Sequence, residues 1–186
     1  MDMYKLKFTK LQLEIFRLFC IKTGIVLNQR EIAKLLGVSP TAVAKALPAL
    51  EKEEIIKVTK GKTNLNKVEI NRDSELAIKL KRVENLKLIT ESGIIRHLYD
   101  GFPGCSIVLF GSYSKGEDIC SEEESAHSDI DIAIIGTKGK PVDVSKFKNM
   151  LEREININFY SSWKEIHKSL KENILNGIIL KGGIEL

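Results

Sequence analysis

The stretch from Ser106 to Gly136, SIVLFGSYSKGEDICSEEESAHSDIDIAIIG, constrains the fold more than any other part of the chain. Its apolar run Ile107-Val108-Leu109-Phe110 stops at Gly111-Ser112, and a second run, Ile132-Ala133-Ile134-Ile135, follows two alternating carboxylates, Asp129 and Asp131. Short β-branched runs stopped by glycine predict buried strands. The order is therefore strand, Gly-Ser turn, helix start, loop, and a strand carrying both aspartates. Gly111 has no Cβ, so the backbone there can turn sharply and approach a ligand. Ser112 falls where a helix begins, a place where free N–H groups and the positive dipole end favour phosphate. Lys115 adds a point charge for a polyphosphate, and Gly116 again permits close approach. Residues two apart on a strand point the same way, which puts Asp129 and Asp131 on one face. Two adjacent hard oxygen ligands beside a phosphate cradle suit a divalent cation, most simply Mg2+.

GSYSKG followed by SDIDIAII resembles the nucleotidyltransferase domain of the DNA polymerase β superfamily in its minimal form. The likeness runs from about Ile107 to the C-terminus and takes in the segment near Tyr160 and the tail NILNGIIL. The resemblance implies that Gly111, Ser112, Lys115 and Gly116 hold the phosphates of an NTP. It also implies that Asp129 and Asp131 are the catalytic, Mg2+-binding pair, and that NMP passes from the NTP to an acceptor hydroxyl. Two features depart from the family pattern. The loop between Gly116 and Asp129 is long and acidic, with Glu122, Glu123 and Glu124 in a row. The next strand, Glu154-Ile155-Asn156-Ile157-Asn158-Phe159, places an amide, Asn156, where the family has a third carboxylate. An amide can ligate a metal through its carbonyl but cannot accept a proton from an attacking hydroxyl. Glu154 can substitute only if the register differs by two. Two functions stay open on this reading: a transferase, or a nucleotide sensor without turnover.

Charge divides the chain. Residues 1–72 hold 14 Lys and Arg against 7 Asp and Glu, whereas the remainder holds 15 against 18. This asymmetry marks a basic module followed by a mildly acidic one. In the basic module, Thr9 is placed to cap a first helix with Leu11, Leu13, Ile15, Phe16, Leu18 and Phe19 on its apolar face. Asn28 with Glu31 three residues on has the form of a capping box for a second helix. Ser39-Pro40 opens a third, as cap and first-turn proline, with Val43, Ala44, Ala46, Leu47 and Leu50 inward. Pro48 is expected to bend or end that helix. The runs Ile55 to Val58 and Lys67 to Ile70 flank a basic hairpin tip. The segment NQREIAKLLGVSPTAVAKALPALEKEEIIKV resembles the winged helix-turn-helix domains of bacterial and archaeal transcription regulators. That resemblance implies a third helix in the major groove of double-stranded DNA and a wing along the phosphates. Thr41, Ala42 and Lys45 are then the candidates for base contact, with Arg30, Lys34, Lys60 and Lys62 on phosphates. The competing reading is that the trihelical unit serves protein contacts. Regulators of this kind commonly act as dimers, so a homodimer is part of the expectation.

Asp73 to Tyr99 predicts one long helix, with Asp73 or Ser74 as its cap and Leu76, Ala77, Leu80, Val83, Leu86 and Ile89 along its apolar positions. It serves either as a linker or subunit seam, or as packing on the sheet. The expected class is α+β: a winged helix-turn-helix over residues 1–72, a linking helix over 73–103, and a nucleotidyltransferase-like mixed sheet with helices over 104–186. A 43% apolar fraction and a formal charge of +4 fit a globular chain. Apolar runs fall short of a membrane span, MDMYKLKFTK has no signal-peptide pattern, and Cys20, Cys105 and Cys120 lack metal-site spacing. The expectation is a cytoplasmic protein with reduced thiols.

Overall fold

The computed structural model describes residues 7–61, 66–120 and 127–184. Two compact units divide the chain, Met1–Ile78 with Ile119–Glu124, and Lys79–Asp118 with Ser125–Leu186.

The first unit contains α1 (Lys10–Ile21), β1 (Leu27–Asn28), α2 (Gln29–Leu36), α3 (Pro40–Lys52), β2 (Ile56–Lys60) and β3 (Asn66–Ile70). Local chemistry sets the helix starts. The Thr9 hydroxyl accepts from Gln12 N, and Gln12 Oε1 accepts from Thr9 N in return. Asn28 and Glu31 form the same reciprocal box on α2, and Ser39 Oγ accepts from Ala42 N at the head of α3. Gln12 is itself buried and donates to the Ala46 carbonyl of α3 at 3.3 Å, tying the first helix to the third. Ile15, Phe19, Ile32, Val43 and Leu50 make the core with Val68 and Ile70 of β3. The strands form an antiparallel sheet in the order β1-β3-β2. Gly24, at φ +94°, lies against Cys120: a Cβ there would sit 2.9 Å from the Cys120 carbonyl oxygen.

Several expectations change in this unit. Leu13 is 52% exposed because Gln12 takes the inward position. Pro48 does not end α3, which runs on to Lys52 because Leu47 and Leu50 are buried on either side of it. Ala44 faces outward, not into the core. β1 has only two residues and no alternating pattern to reveal it.

The long helix becomes two, α4 (Glu75–Ser92) and α5 (Ile94–Gly101), separated by Gly93 at φ +80°. Ser74 is the cap, its Oγ accepting from Ala77 N, while Asp73 pairs with Lys57. The inward face of α4 is not the expected aliphatic row. Ala77, Lys81, Asn85, Leu88 and Ile89 are buried, and Val83 is 64% exposed.

The second unit continues with β4 (Ser106–Phe110), α6 (Gly111–Lys115), β5 (Ile130–Ile135), α7 (Ser145–Leu151), β6 (Ile155–Tyr160), α8 (Lys168–Leu175) and β7 (Ile178–Lys181). Its sheet has the order β6-β5-β4-β7. β4 is antiparallel to β5 and β7, and the parallel pair β5/β6 is joined across α7. Ile107, Val108, Leu109, Ile132, Ala133 and Ile134 are fully buried, as strands covered on both faces require. Phe147 and Leu151 turn α7 inward, and Met150 is 54% exposed. Before the final helix, a 3-10 turn at Trp163–Glu165 is followed by extended backbone at Ile166 and His167.

Beneath α6 lies a buried polar cluster. Asp118 is ion-paired with Lys81, accepts from Asn85 Nδ2 at 2.7 Å, and receives Arg153 Nη2 at 3.4 Å. The same Asn85 amide donates to the Tyr113 carbonyl of α6 at 2.9 Å. Removing one partner of a buried ionic group leaves the others uncompensated. Asp118→Asn is therefore expected to lower stability by about 3 kcal/mol or more in urea denaturation of the full chain; an unchanged midpoint would contradict this account of the cluster.

Candidate functional site

The C-terminal end of β4 and the N-terminal ends of β5 and β6 meet at one cleft. β4 delivers Phe110 and, at its end, Gly111 in the left-handed region at φ +75°. A Cβ on Gly111 would stand 2.5 Å from Asp131 Oδ2, so glycine suits both the left-handed backbone and the present place of this carboxylate. Antiparallel register pairs Phe110 with Asp131, and parallel register pairs Asp131 with Asn156. The cleft, about 480 Å³, is lined by Gly111, Ser112, Lys115, Asp131 and Asn158. Leu170 and Asn173 of α8 form a further part of its wall. The glycine corner and the acid strand thus face the same space.

The acid pair is joined by an amide. Asn156 Nδ2 donates to Asp129 Oδ2 at 2.9 Å and reaches Asp131 Oδ1 at 3.5 Å. Asp129 lies just before β5, which starts at Ile130, yet its carboxylate converges with that of Asp131 on this one group. Burial pushes the Asp131 carboxyl above the usual carboxylate range; the Asn156 hydrogen bond draws it back, and the neighbouring Asp129 charge adds to the rise. The register leaves no place for Glu154, whose side chain is ion-paired with Lys148 of α7. Glu117 also lines the cleft, but among the described residues no three His, Cys, Asp or Glu side chains are grouped to hold a metal.

Other expectations meet a shorter frame. α6 has five residues, so its dipole contributes little; it carries Ser112 and Lys115 to the cleft. Gly116, at φ +78°, closes α6 as its left-handed cap and is not among the residues lining the cleft. Asn158, Leu170 and Asn173 were not singled out in the sequence. Asn158 was legible from its alternation with Asn156, whereas the α8 pair depends on where that helix packs. The glutamates at 122–124 lie outside the described residues.

On the first unit, Arg30, Lys34, Thr41, Lys45 and Lys60 are exposed and Ala42 is half-buried, its N–H used by the Ser39 cap. Ala44, exposed between Thr41 and Lys45, belongs to the same outer face of α3. Lys62 lies outside the described residues. No helix among the described residues is long and apolar enough to cross a membrane.

The MarR family model matches residues 11–68, and over this N-terminal region the chain is similar to the winged helix-turn-helix of that family. No curated protein matches the chain. Among solved structures, the zinc-responsive MarR family member ZitR of Lactococcus lactis is 24% identical, with 56% of this chain and 69% of that one covered and a TM-score of 0.41. The adhesin competence repressor AdcR of Streptococcus pyogenes is 23% identical over 55% of this chain and 72% of its own, at a TM-score of 0.41. MepR of S. aureus, solved with DNA, is 14% identical over 50% and 77%, at 0.37. At these scores the structural likenesses carry no weight.

The Asp131 environment sets a direction for stability. Its folded-state pKa is raised above the ordinary 3.8, so the folded state binds more protons between the two values and loses stability as pH rises through that interval. The cost is complete above the folded value and absent below the unfolded one. Asp131→Asn is expected to raise the melting temperature at pH 7, with the gain shrinking in melts near pH 3.5. A lower melting temperature at pH 7 would contradict this reading.

Proposed function

We propose that the chain is a DNA-binding transcription regulator whose second unit binds a nucleoside triphosphate with Mg2+ without turning it over. The DNA half rests on the MarR-type match over residues 11–68 and on the exposed basic residues Arg30, Lys34, Lys45 and Lys60. Thr41, Ala44 and Lys45 on the outer face of α3 are the groups for base edges, with Ala42 beside them, and the wing lysines Lys60 and Lys62 meet phosphates. Binding as a homodimer would pair two half-sites.

The nucleotide half rests on one observation above all: Gly111, Ser112 and Lys115 share a cleft with Asp131, and Asp131 shares an amide with Asp129. Mg2+ usually takes one or two protein carboxylates and fills its remaining positions with water and phosphate oxygens. Asp129 and Asp131 fit that demand, and Asn156 holds them side by side for it. When bound, the cation would neutralise charge on the triphosphate. Ser112 and Lys115 would orient the phosphates. Asn156 stands where a proton acceptor is needed for transfer and cannot act as one, which favours sensing over catalysis. The nucleotidyltransferase reading keeps one support, the intact GSYSKG and SDID pair.

Two assays separate the readings. In a gel-shift titration, Lys34→Ala and Lys60→Ala are each expected to weaken DNA binding and to reduce the slope of log affinity against log salt by about 1. Addition of Mg·NTP is expected to shift the wild-type affinity. No DNA affinity at low salt would reject the regulator. With radiolabelled NTP, Mg2+ and cell lysate, no label is expected to appear on any acceptor. Transfer that disappears in Asp129→Ala and Asp131→Ala would replace sensing by catalysis.

A further inference from the structure

The cleft beside Ser112 is larger and chemically more mixed than a phosphate cradle needs. Small-molecule sites of about 300–1,000 Å³ hold whole ligands, and at about 480 Å³ this one has room for a nucleoside as well as its phosphates. Its anion-facing groups, Ser112 and Lys115, come from α6, and its carboxylates are Asp131 of β5 and Glu117, two residues beyond α6. The wall supplied by α8 is different. Leu170 and Asn173 are three residues apart on that helix and so lie on one side of it. Leu170 is half-buried and packs against the cluster of Val108, Phe110, Ile166 and Ile174. Asn173 is exposed and free of any core role. An apolar side chain fixed by the core, with an amide beside it, offers a surface for an aromatic face and a paired donor and acceptor for an edge.

We infer that α8 supplies a nucleobase subsite, with Leu170 against the base and Asn173 reading its edge, and that the subsite selects adenine. The assignment rests on the nucleotide reading above and adds to it the identity of the base. An amide presents one donor and one acceptor side by side, which match the N7 acceptor and N6 amino donor of adenine. Guanine presents two acceptors, N7 and O6, on the same edge and calls for a double donor such as Arg or Lys. Lys115 lies on α6 beside Ser112 and serves the phosphates, so the α8 wall offers guanine only the amide.

The test is calorimetric titration of the full chain in Mg2+ with three probes: a non-hydrolysable ATP analogue, the matching GTP analogue and inorganic tripolyphosphate. Wild type is expected to bind the ATP analogue about tenfold tighter than the GTP analogue, and tighter than tripolyphosphate. Asn173→Ala, at an exposed position, is expected to abolish the preference for adenine and to leave tripolyphosphate affinity unchanged. Leu170→Ala is expected to weaken both nucleotides and spare tripolyphosphate. Equal affinity of wild type for all three probes would overturn the base subsite while leaving the phosphate reading intact. Equal affinity for the two nucleotides, or an adenine preference untouched by Asn173→Ala, would overturn the role given to Asn173. Failure of all three to bind would overturn the nucleotide reading and the subsite with it.

Discussion

Two carboxylates set side by side repel each other, and this pair sits at a strand end where one of them is already half removed from water. The Asn156 amide lets them stay there, donating to Asp129 and reaching Asp131 from the neighbouring parallel strand. The arrangement is tolerable for the fold and unfavourable for Asp131, whose carboxyl is held above its ordinary range. On the function proposed above, this local electrostatic cost would be relieved by a bound cation. The glycine corner belongs to the same constraint. A Cβ at Gly111 would meet the Asp131 carboxylate where it now lies, so the glycine corner and the acid side chain share one space.

The support for this corner comes from below. α6 is too short to hold itself in place by its own hydrogen bonds. Asn85 of α4 takes the Tyr113 carbonyl and the Asp118 carboxylate on its one amide nitrogen, and Lys81 one turn earlier pairs with Asp118. The short α6 turn is thus anchored by buried polar groups, which specify geometry more tightly than apolar packing does. Because α4 contributes residues to both compact units, its two polar anchors lie on the chain's direct covalent path from winged helix to cleft.

What was legible in the sequence was local. Thr9 with Gln12, Asn28 with Glu31, and Ser39 with Pro40 announce helix starts because the interaction closes within four residues. The strands β4 and β5 were legible because both their faces are covered and their runs are continuously apolar. The inward face of α4 was hidden for the opposite reason. Its partners at 81 and 85 are polar, so counting aliphatic residues selected Val83, which lies in solvent. Leu170 and Asn173 were hidden because nothing in a lysine-rich octapeptide tells which side of it will border a cleft formed by residues about sixty positions earlier. The place of Glu154 depended on register, and the Ile130–Ile155 pairing with the Lys148 ion pair resolved it in favour of the amide.

The central claim is that the acid pair serves a cation brought together with a polyphosphate. The most direct measurement is the affinity of the full chain for a non-hydrolysable NTP analogue with Mg2+ and with EDTA, in wild type and in Asp129→Asn/Asp131→Asn. The account predicts that Mg2+ strengthens binding to wild type and has no such effect on the double variant. Binding that is indifferent to Mg2+ in wild type, or equally enhanced by it in the variant, would contradict it.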